Sequence, residues 1–390
     1  MAKRSRPRVA IFGGGMIAEV HRRSALLAGA EIVGVLDQSP AASAKLAARW
    51  NVAKAYADAA QAISDGIDVL HICTPNATHA EYARMALEAG LNVICEKPLA
   101  VTAREASELA ELAAASGVVA AVPFIYRFHP LVREIRARRV AGDFGQWWLL
   151  HGSYLQDWLA SPAASSWRVD PVAGGPSRAF ADIGSHWCDL VEWVSGERIA
   201  ELVADTATAI PRRQPASGPT FSNGTAASPE APDAPDAMVE VKTEDIVTVG
   251  FRTGAGTPGS LTVSQVSAGR KNRLWFELDG QNGSAVFDQE NPETVWLGGE
   301  DESRLLVRDP GHGAPDARRV TTLPAGHVQG WAACFETFIT DVYASLDGEL
   351  TDGVPTFADG ARAVRIVEAV LDSAKARRWV RVADPELEGA

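Results

Sequence analysis

Residues 8–18 read Arg8-Val-Ala-Ile-Phe12-Gly13-Gly-Gly15-Met16-Ile17-Ala18. A short apolar run breaks into three glycines and resumes as a helical stretch reaching about residue 29. The G-x-G-x-x-A spacing puts Gly13 where a tight turn is needed and Gly15 where backbone must approach a pyrophosphate. Ala18 falls where helix and strand pack closely. Free N–H groups and the positive end of the helix dipole then face an anion. Met16 and Ile17, in the first helical turn, join this candidate cofactor-binding set. Asp37 closes the second strand about twenty residues on, where a carboxylate accepts from both ribose hydroxyls and repels a 2′-phosphate. Residues 38–44 hold no arginine. NAD is therefore expected, with NADP the lesser alternative. Plain turn chemistry is the competing account of both the glycines and Asp37.

Outward from this stretch, strands and helices alternate. Glu31-Ile-Val-Gly-Val-Leu36, Asp68-Val-Leu-His-Ile-Cys73, Asn92-Val-Ile-Cys95 and Val118-Val-Ala-Ala-Val122 are strand-like, with helical segments over 76–89 and 102–116. Alternation of this kind means βαβ units and a doubly wound parallel sheet, here over residues 1–125. Beyond about residue 125 the texture changes. Ten of the eleven tryptophans lie there, and stretches such as Arg273-Leu-Trp-Phe-Glu-Leu278 alternate apolar with polar. We expect a second α/β domain over residues 126–390, built on an open, mainly antiparallel sheet. Residues 211–237, rich in Pro, Ala, Ser and Asp without periodicity, read as an inserted loop. A helix over 361–376 can pack on either domain.

A chain of 390 residues suits two domains. The net charge is −12, and the cluster of cations Lys3, Arg4, Arg6 and Arg8 at the N-terminus reads as a solvated tail. No nucleic-acid partner is expected. No apolar run approaches the ~20 residues of a membrane span, and the first residues lack the apolar segment of a signal peptide, so no membrane association and a cytoplasmic location are expected. Cys73, Cys95, Cys188 and Cys334 are scattered and form no C-x-x-C pair, which suggests no metal site and no disulfide framework. An open sheet must cover its exposed face, usually with another subunit, so a homodimer or homotetramer is expected.

Two further segments carry a resemblance. Ile72-Cys-Thr74-Pro75-Asn76 followed by His79, and Val93-Ile-Cys-Glu96-Lys97-Pro98-Leu99, resemble the Gfo/Idh/MocA oxidoreductase family from Val9 to about Val380. The resemblance implies an N-terminal Rossmann domain and a C-terminal α/β domain with an open-faced sheet. It implies that Thr74, Pro75, Asn76, His79 and Glu96 line the cofactor path and that Lys97 reaches both cofactor and substrate. Independently of the family, Lys97 lies just beyond a strand's C-terminal end, where open α/β sheets bind ligands and a cation can lower the pKa of a hydroxyl.

Asp182-Ile-Gly-Ser-His186-Trp-Cys-Asp189 matches the family's D-x-G-x-H-x-x-D signature. On one continuous helix, 182, 186 and 189 share a stripe beside an apolar one of Ile183, Trp187, Leu190, Val191 and Val194. His186 is the candidate base, Lys97 the cation on the reacting oxygen, and Asp182 a partner for a neighbouring hydroxyl or a charge relay. Asp189 either orients the imidazole or faces solvent. Trp167 and Arg168 are carried over from the family as cofactor contacts. Arg127, in Tyr126-Arg-Phe-His-Pro130, and Trp158, which can stack on a sugar ring, join the substrate set. The reaction expected is hydride transfer between a sugar or polyol hydroxyl carbon and the nicotinamide, with inositols, aldoses, anhydrosugars and glucosides all open. Two alternatives are an NAD-assisted glycoside hydrolase and an NAD-binding sensor without turnover.

Overall fold

The computed structural model describes residues 6–215, 238–348 and 351–384. The first sheet has six parallel strands: β1 (Arg8–Phe12), β2 (Glu31–Leu36), β3 (Lys54–Ala55), β4 (Val69–Ile72), β5 (Asn92–Cys95) and β6 (Ala120–Ala121), in the order β3-β2-β1-β4-β5-β6. Five helices connect them: α1 (Met16–Leu27), α2 (Pro40–Trp50), α3 (Ala59–Ile63), α4 (His79–Glu88) and α5 (Ala103–Ser116). Successive side chains of a strand point to opposite faces, so β1 feeds two cores. Val9 and Ile11 enter one; Ala10 and Phe12 enter the other. Strand order reverses between β1 and β4, which opens a crevice at the strands' C-terminal ends. Gly13, Asp37, Thr74 and Lys97 each follow one of those ends.

The second sheet has nine strands in the order β16-β15-β14-β13-β7-β12-β11-β8-β17. These are β7 (Trp147–Leu155), β8 (Ile199–Ala207), β11 (Ile246–Thr253), β12 (Pro258–Ser264), β13 (Arg273–Gly280), β14 (Ser284–Asp288), β15 (Thr294–Gly298), β16 (Ser303–Val307) and β17 (Val380–Arg381). The short strands β9 (Arg212–Arg213) and β10 (Val239–Glu240) pair separately. Apart from the parallel pair β7–β12, every pairing in the large sheet is antiparallel. One face is apolar, with Leu150, Tyr154, Leu261, Val263, Leu274, Phe276 and Leu278 all buried. The other carries Leu149, His151, Thr262, Trp275, Glu277 and Trp296, exposed or half-exposed. Of the expected inserted loop, residues 216–237 lie outside the described residues, as do Lys3 and Arg4 of the basic tail.

Helix α8 (Ser185–Ser195) lies on the apolar face. Its stripe of Trp187, Leu190, Val191 and Val194 is entirely buried, and Trp187 Nε1 donates to the Trp275 carbonyl at 2.9 Å. Gly152 makes room for the indole, since a Cβ there would lie 2.5 Å from Trp187 Nε1.

Helices also form in stretches where the sequence reading expects none. The sequence reading expects strands after residue 125, yet α6 (Pro130–Ala141) forms there, with proline in its first turn and His129 Nδ1 accepting from the Leu131 N–H at 3.3 Å. After the short α7 (Pro171–Gly174) and α9 (Pro315–Arg319), the chain builds α10 (Trp331–Ala344) against α1. The final helix, α11 (Phe357–Ala376), begins ahead of the expected 361 because Thr356 and Asp359 form a reciprocal capping box. It packs on α5 and also on α8 and β8, so it touches both layers systems rather than one. Replacing Trp187 with alanine should cost about 3–5 kcal/mol, because the ring is fully enclosed. Urea unfolding measures this; a loss under about 1 kcal/mol would show that α8 is not anchored through the indole.

Candidate active site

Gly13 has φ +103°, and a Cβ there would meet the Cys73 carbonyl oxygen at 2.5 Å, so only glycine fits between β1 and the chain leaving β4. At Gly15, the N-cap of α1, a Cβ would meet nothing within 4 Å, and no side chain caps the helix. The first N–H groups of α1 therefore face open space, the arrangement that receives a phosphate. Asp37 Oδ1 accepts from the Gln38 N–H at 2.8 Å, and its Oδ2 lies over Gly14, where a Cβ would approach it to 2.7 Å. Arg49, outside the stretch scanned for a cation, donates to the Gly14 carbonyl at 3.1 Å.

The cavity over this turn measures about 730 Å³ and brings together every residue that the sequence nominates for the cofactor: Gly13, Gly15, Met16, Ile17, Asp37, Thr74, Pro75, Asn76, His79, Glu96, Lys97, Trp167 and Arg168. Some of them also hold the walls. Both ring nitrogens of buried His79 face backbone carbonyls, of Pro98 at 2.8 Å and Thr74 at 2.9 Å. Asn76 Nδ2 donates to the Gly174 carbonyl at 2.8 Å, tying the first sheet to the loop carrying Trp167 and Arg168. The Arg168 guanidinium stacks 4.5 Å from the centre of the Trp167 ring. A backbone-lined anion turn, a carboxylate at the second strand and a cavity of this size fit a dinucleotide.

A second cavity of about 340 Å³ adjoins the first and shares Met16, Ile17, Glu96, Lys97 and Arg168 with it. Lys97 Nζ donates to Asp182 Oδ1 at 2.7 Å and to the Asp182 carbonyl at 2.9 Å. Gln265 donates to the other carboxylate oxygen at 2.8 Å, and Arg168 Nε stands 3.4 Å from Oδ1. Burial alone would raise the Asp182 pKa, but the Lys97 and Arg168 cations hold it well below the usual carboxylate range. The imidazole of His186 lies edge-on to Phe124 and Tyr126, with centroids 5.6 and 5.5 Å away, and tilted against Tyr154 at 6.4 Å. Burial, reinforced by Lys97, pushes its pKa down to about 3, so the ring is neutral.

Two placements depart from the sequence reading. Residues 180–184 form a π-helical turn (Phe180–Gly184) ahead of α8, so 182–189 is not one regular helix. Asp189 is paired with Arg127, whose Nε donates to Oδ2 at 2.9 Å and whose Nη2 reaches Oδ1, while His186 Nδ1 is buried without a hydrogen-bond partner among the described residues. Asp189 therefore does not orient the imidazole. Arg127, nominated for substrate, points away from the chamber: it also pairs with Asp359 at 2.8 Å and packs over Trp193 in a separate polar cavity. Its two short-range carboxylates account for that direction. Trp158 does line the chamber, donating to Gln156 Oε1 at 2.9 Å.

Residues that the sequence reading missed complete the chamber. Tyr126 and Tyr154 hydroxyls lie 2.6 Å apart; Tyr154 donates to Asn272 Oδ1 at 2.8 Å, and Gln156 Nε2 to the same oxygen at 2.9 Å. Trp331 and Phe335 of α10 close one wall. They come from scattered elements and share no local motif. Only α10 left a trace, in the apolar 331, 334, 335, 338, 339 and 342 spacing. Elsewhere, His151, Glu277 and Asp279 bring potential ligand atoms within 4.8 Å on the sheet's exposed face, apart from the cleft.

A dinucleotide cradle opening onto a polar, aromatic-walled chamber that holds a lysine and a neutral histidine defines an NAD-dependent oxidoreductase. The chain belongs to the GFO/IDH/MocA oxidoreductase family: residues 7–124 match its NAD-binding Rossmann fold and residues 132–286 match its C-terminal domain. It is 32% identical over 358 residues to levoglucosan dehydrogenase of Pseudarthrobacter phenanthrenivorans, covering 89% of this chain and 88% of that protein. Among solved structures it is similar to levoglucosan dehydrogenase in complex with NADH and L-sorbose, with TM-score 0.86 and 28% identity over 98% of this chain and 100% of that one. It is also similar to an inositol dehydrogenase homolog from Azotobacter vinelandii complexed with NADH and myo-inositol, with TM-score 0.83 and 26% identity over 97% and 98%.

Replacing Asp37 with alanine should weaken NAD binding by about tenfold or more while NADP binding improves relative to it, since the lost bonds are charge-assisted. Fluorescence titration with both dinucleotides measures this; unchanged affinities would remove Asp37 from the cofactor site.

Proposed function

We propose that the protein oxidises a secondary hydroxyl of a neutral polyhydroxylated ring, with Lys97, Asp182 and His186 as its catalytic set. One observation carries the reading. An ammonium has three N–H donors, and Asp182 takes two of those of Lys97, leaving one for an oxygen in the chamber. Gly13, Gly15, Met16, Ile17, Asp37, Thr74, Pro75, Asn76, Trp167 and Arg168 would hold NAD, which supplies the hydride acceptor.

Lys97 donates to the hydroxyl oxygen and stabilises the negative charge that grows on it as the proton leaves. Neutral His186 takes that proton, while Asp182, kept ionised, fixes the ammonium and offsets the imidazolium that forms. The C–H electron pair departs as hydride and the carbon becomes a carbonyl. Tyr126, Tyr154, Gln156 and Asn272 supply further donors and acceptors, and Trp158 an aromatic face, which together suit a ring bearing several hydroxyls. The similarity to levoglucosan dehydrogenase over nearly the whole chain puts anhydrosugars first among the substrates, with inositols and glucosides next. Work in the reducing cytoplasm suits four cysteines that are all buried free thiols, and a homodimer or homotetramer suits the exposed sheet face.

The test is NADH formation with levoglucosan, myo-inositol, aldoses and glucosides. NADH should appear with one of them, and His186→Ala or Lys97→Met should lower kcat by about 10²–10⁴ with NAD affinity retained. Because the His186 pKa is depressed, its proton-accepting form is complete above about pH 5, and His186 should add no acid limb to the rate between about pH 5 and 8. Full turnover by His186→Ala would contradict the mechanism. Glycoside cleavage without net NADH would replace the dehydrogenase by a hydrolase.

A further inference from the structure

Behind Lys97 runs a line of buried polar groups for which the mechanism above has no use. The Lys97 backbone N–H donates to Glu96 Oε2 at 3.1 Å. Glu96 Oε1 lies 3.2 Å from His21 Nε2, His21 Nδ1 lies 3.0 Å from His71 Nδ1, and His71 Nε2 lies 2.9 Å from the Tyr343 hydroxyl. Both imidazoles are wholly buried, and Glu96 and Tyr343 are 6% and 5% exposed. The four residues come from four places: α1, β4, the loop after β5, and α10.

The chemistry of these groups makes the line continuous. An ionised carboxylate only accepts, so His21 Nε2 carries a proton and donates to Glu96. Of the two facing Nδ1 atoms only one carries a proton: where it is on His71, Tyr343 donates to His71 Nε2, and where it is on His21, His71 Nε2 donates to Tyr343. Burial holds the His71 pKa well below its ordinary value, so this ring is neutral, donating through one nitrogen and accepting through the other. For Glu96, burial works toward a higher pKa, but the His21 bond, with Lys97 and His186 nearby, keeps it below the usual range. His79, Cys73 and Cys95 are the other titratable groups close to it.

We propose that Tyr343, His71 and His21 are positioning residues, forming a continuous hydrogen-bond chain that fixes the Glu96 carboxylate and, through the Lys97 backbone, the place of the Lys97 ammonium. The proposal rests on the reading of Lys97 as the substrate-binding cation. The head of the chain also sits on the helix that walls the chamber: α10 contributes Trp331 and Phe335 to the cavity and Tyr343 to the chain, and the Phe335 ring lies edge-on to His21 at 4.8 Å. Sugar chamber and lysine loop thus lean on one helix.

The test has two arms. In protein labelled with ¹⁵N-histidine, imidazole NMR should find His21 protonated at Nε2 and His71 protonated at one nitrogen only; His21 bare at Nε2 would overturn the chain. In the enzyme with saturating NAD, Tyr343→Phe and His21→Leu should each lower kcat about tenfold, while His21→Gln, which keeps an N–H donor toward Glu96, should recover most of it. NAD affinity should stay near the wild-type value in all three. Wild-type kcat in Tyr343→Phe, or equal losses in His21→Leu and His21→Gln, would overturn the positioning role. If the unaltered protein oxidises no sugar, the functional reading fails instead, and the NMR arm alone decides the chain.

Discussion

The ammonium of Lys97 and the carboxylate of Asp182 meet across the seam between the two sheets, 85 residues apart in sequence and 2.7 Å apart in space. Taking two charges out of water is costly, and the attraction between them compensates only if their remaining hydrogen-bonding capacity is met. Here it is met. Asp182 receives Lys97 and Gln265 on separate oxygens with Arg168 alongside, and Lys97 reaches the Asp182 carbonyl as well. Removing either charge from such a pair strands the other at about 3–5 kcal/mol. The pair therefore fixes how the β5 loop and the segment entering α8 sit against each other, and hence how the cofactor cavity abuts the chamber.

His186 depends on the same arrangement. It follows the π-helical turn that carries Asp182, and the buried flank of α8, with Trp187 locked over Gly152, sets the direction in which the imidazole emerges. Phe124 and Tyr126 meet it edge-on and Tyr154 at a tilt, and burial, reinforced by Lys97, keeps the ring neutral before substrate arrives. In the proposed reaction, an imidazole positioned by packing and discharged by burial takes a proton only when a developing charge nearby favours it, a balance that Lys97 and Asp182 would supply.

Much of this was readable in the chain. Gly13, Gly15 and Asp37 announce the cradle because only glycine satisfies the turn and only a strand-end carboxylate suits a ribose. The alternation of strands and helices, and the apolar spacing of Ile183, Trp187, Leu190, Val191 and Val194, follow from periodicity alone. What escaped depends on tertiary placement. Arg127 was indistinguishable from a chamber residue until Asp189 and Asp359 were seen to draw it aside. One regular helix through 182–189 was the simplest extrapolation, and the π-helical turn defeats it. Tyr154, Gln156 and Asn272 sit at ordinary strand and turn positions, and their shared chamber exists only once β7 and β13 are side by side.

In the proposed reaction the chamber brings one C–H bond of a ring alcohol to a bound nicotinamide while His186 takes the hydroxyl proton. The most direct test uses a sugar turned over by the enzyme, deuterated at the oxidised carbon, with mass analysis of the recovered NADH. Deuterium should be found in the dihydronicotinamide ring, one atom per carbonyl formed, with none washed out to water. Deuterium released to solvent, or product formed with an unlabelled cofactor, would contradict the account.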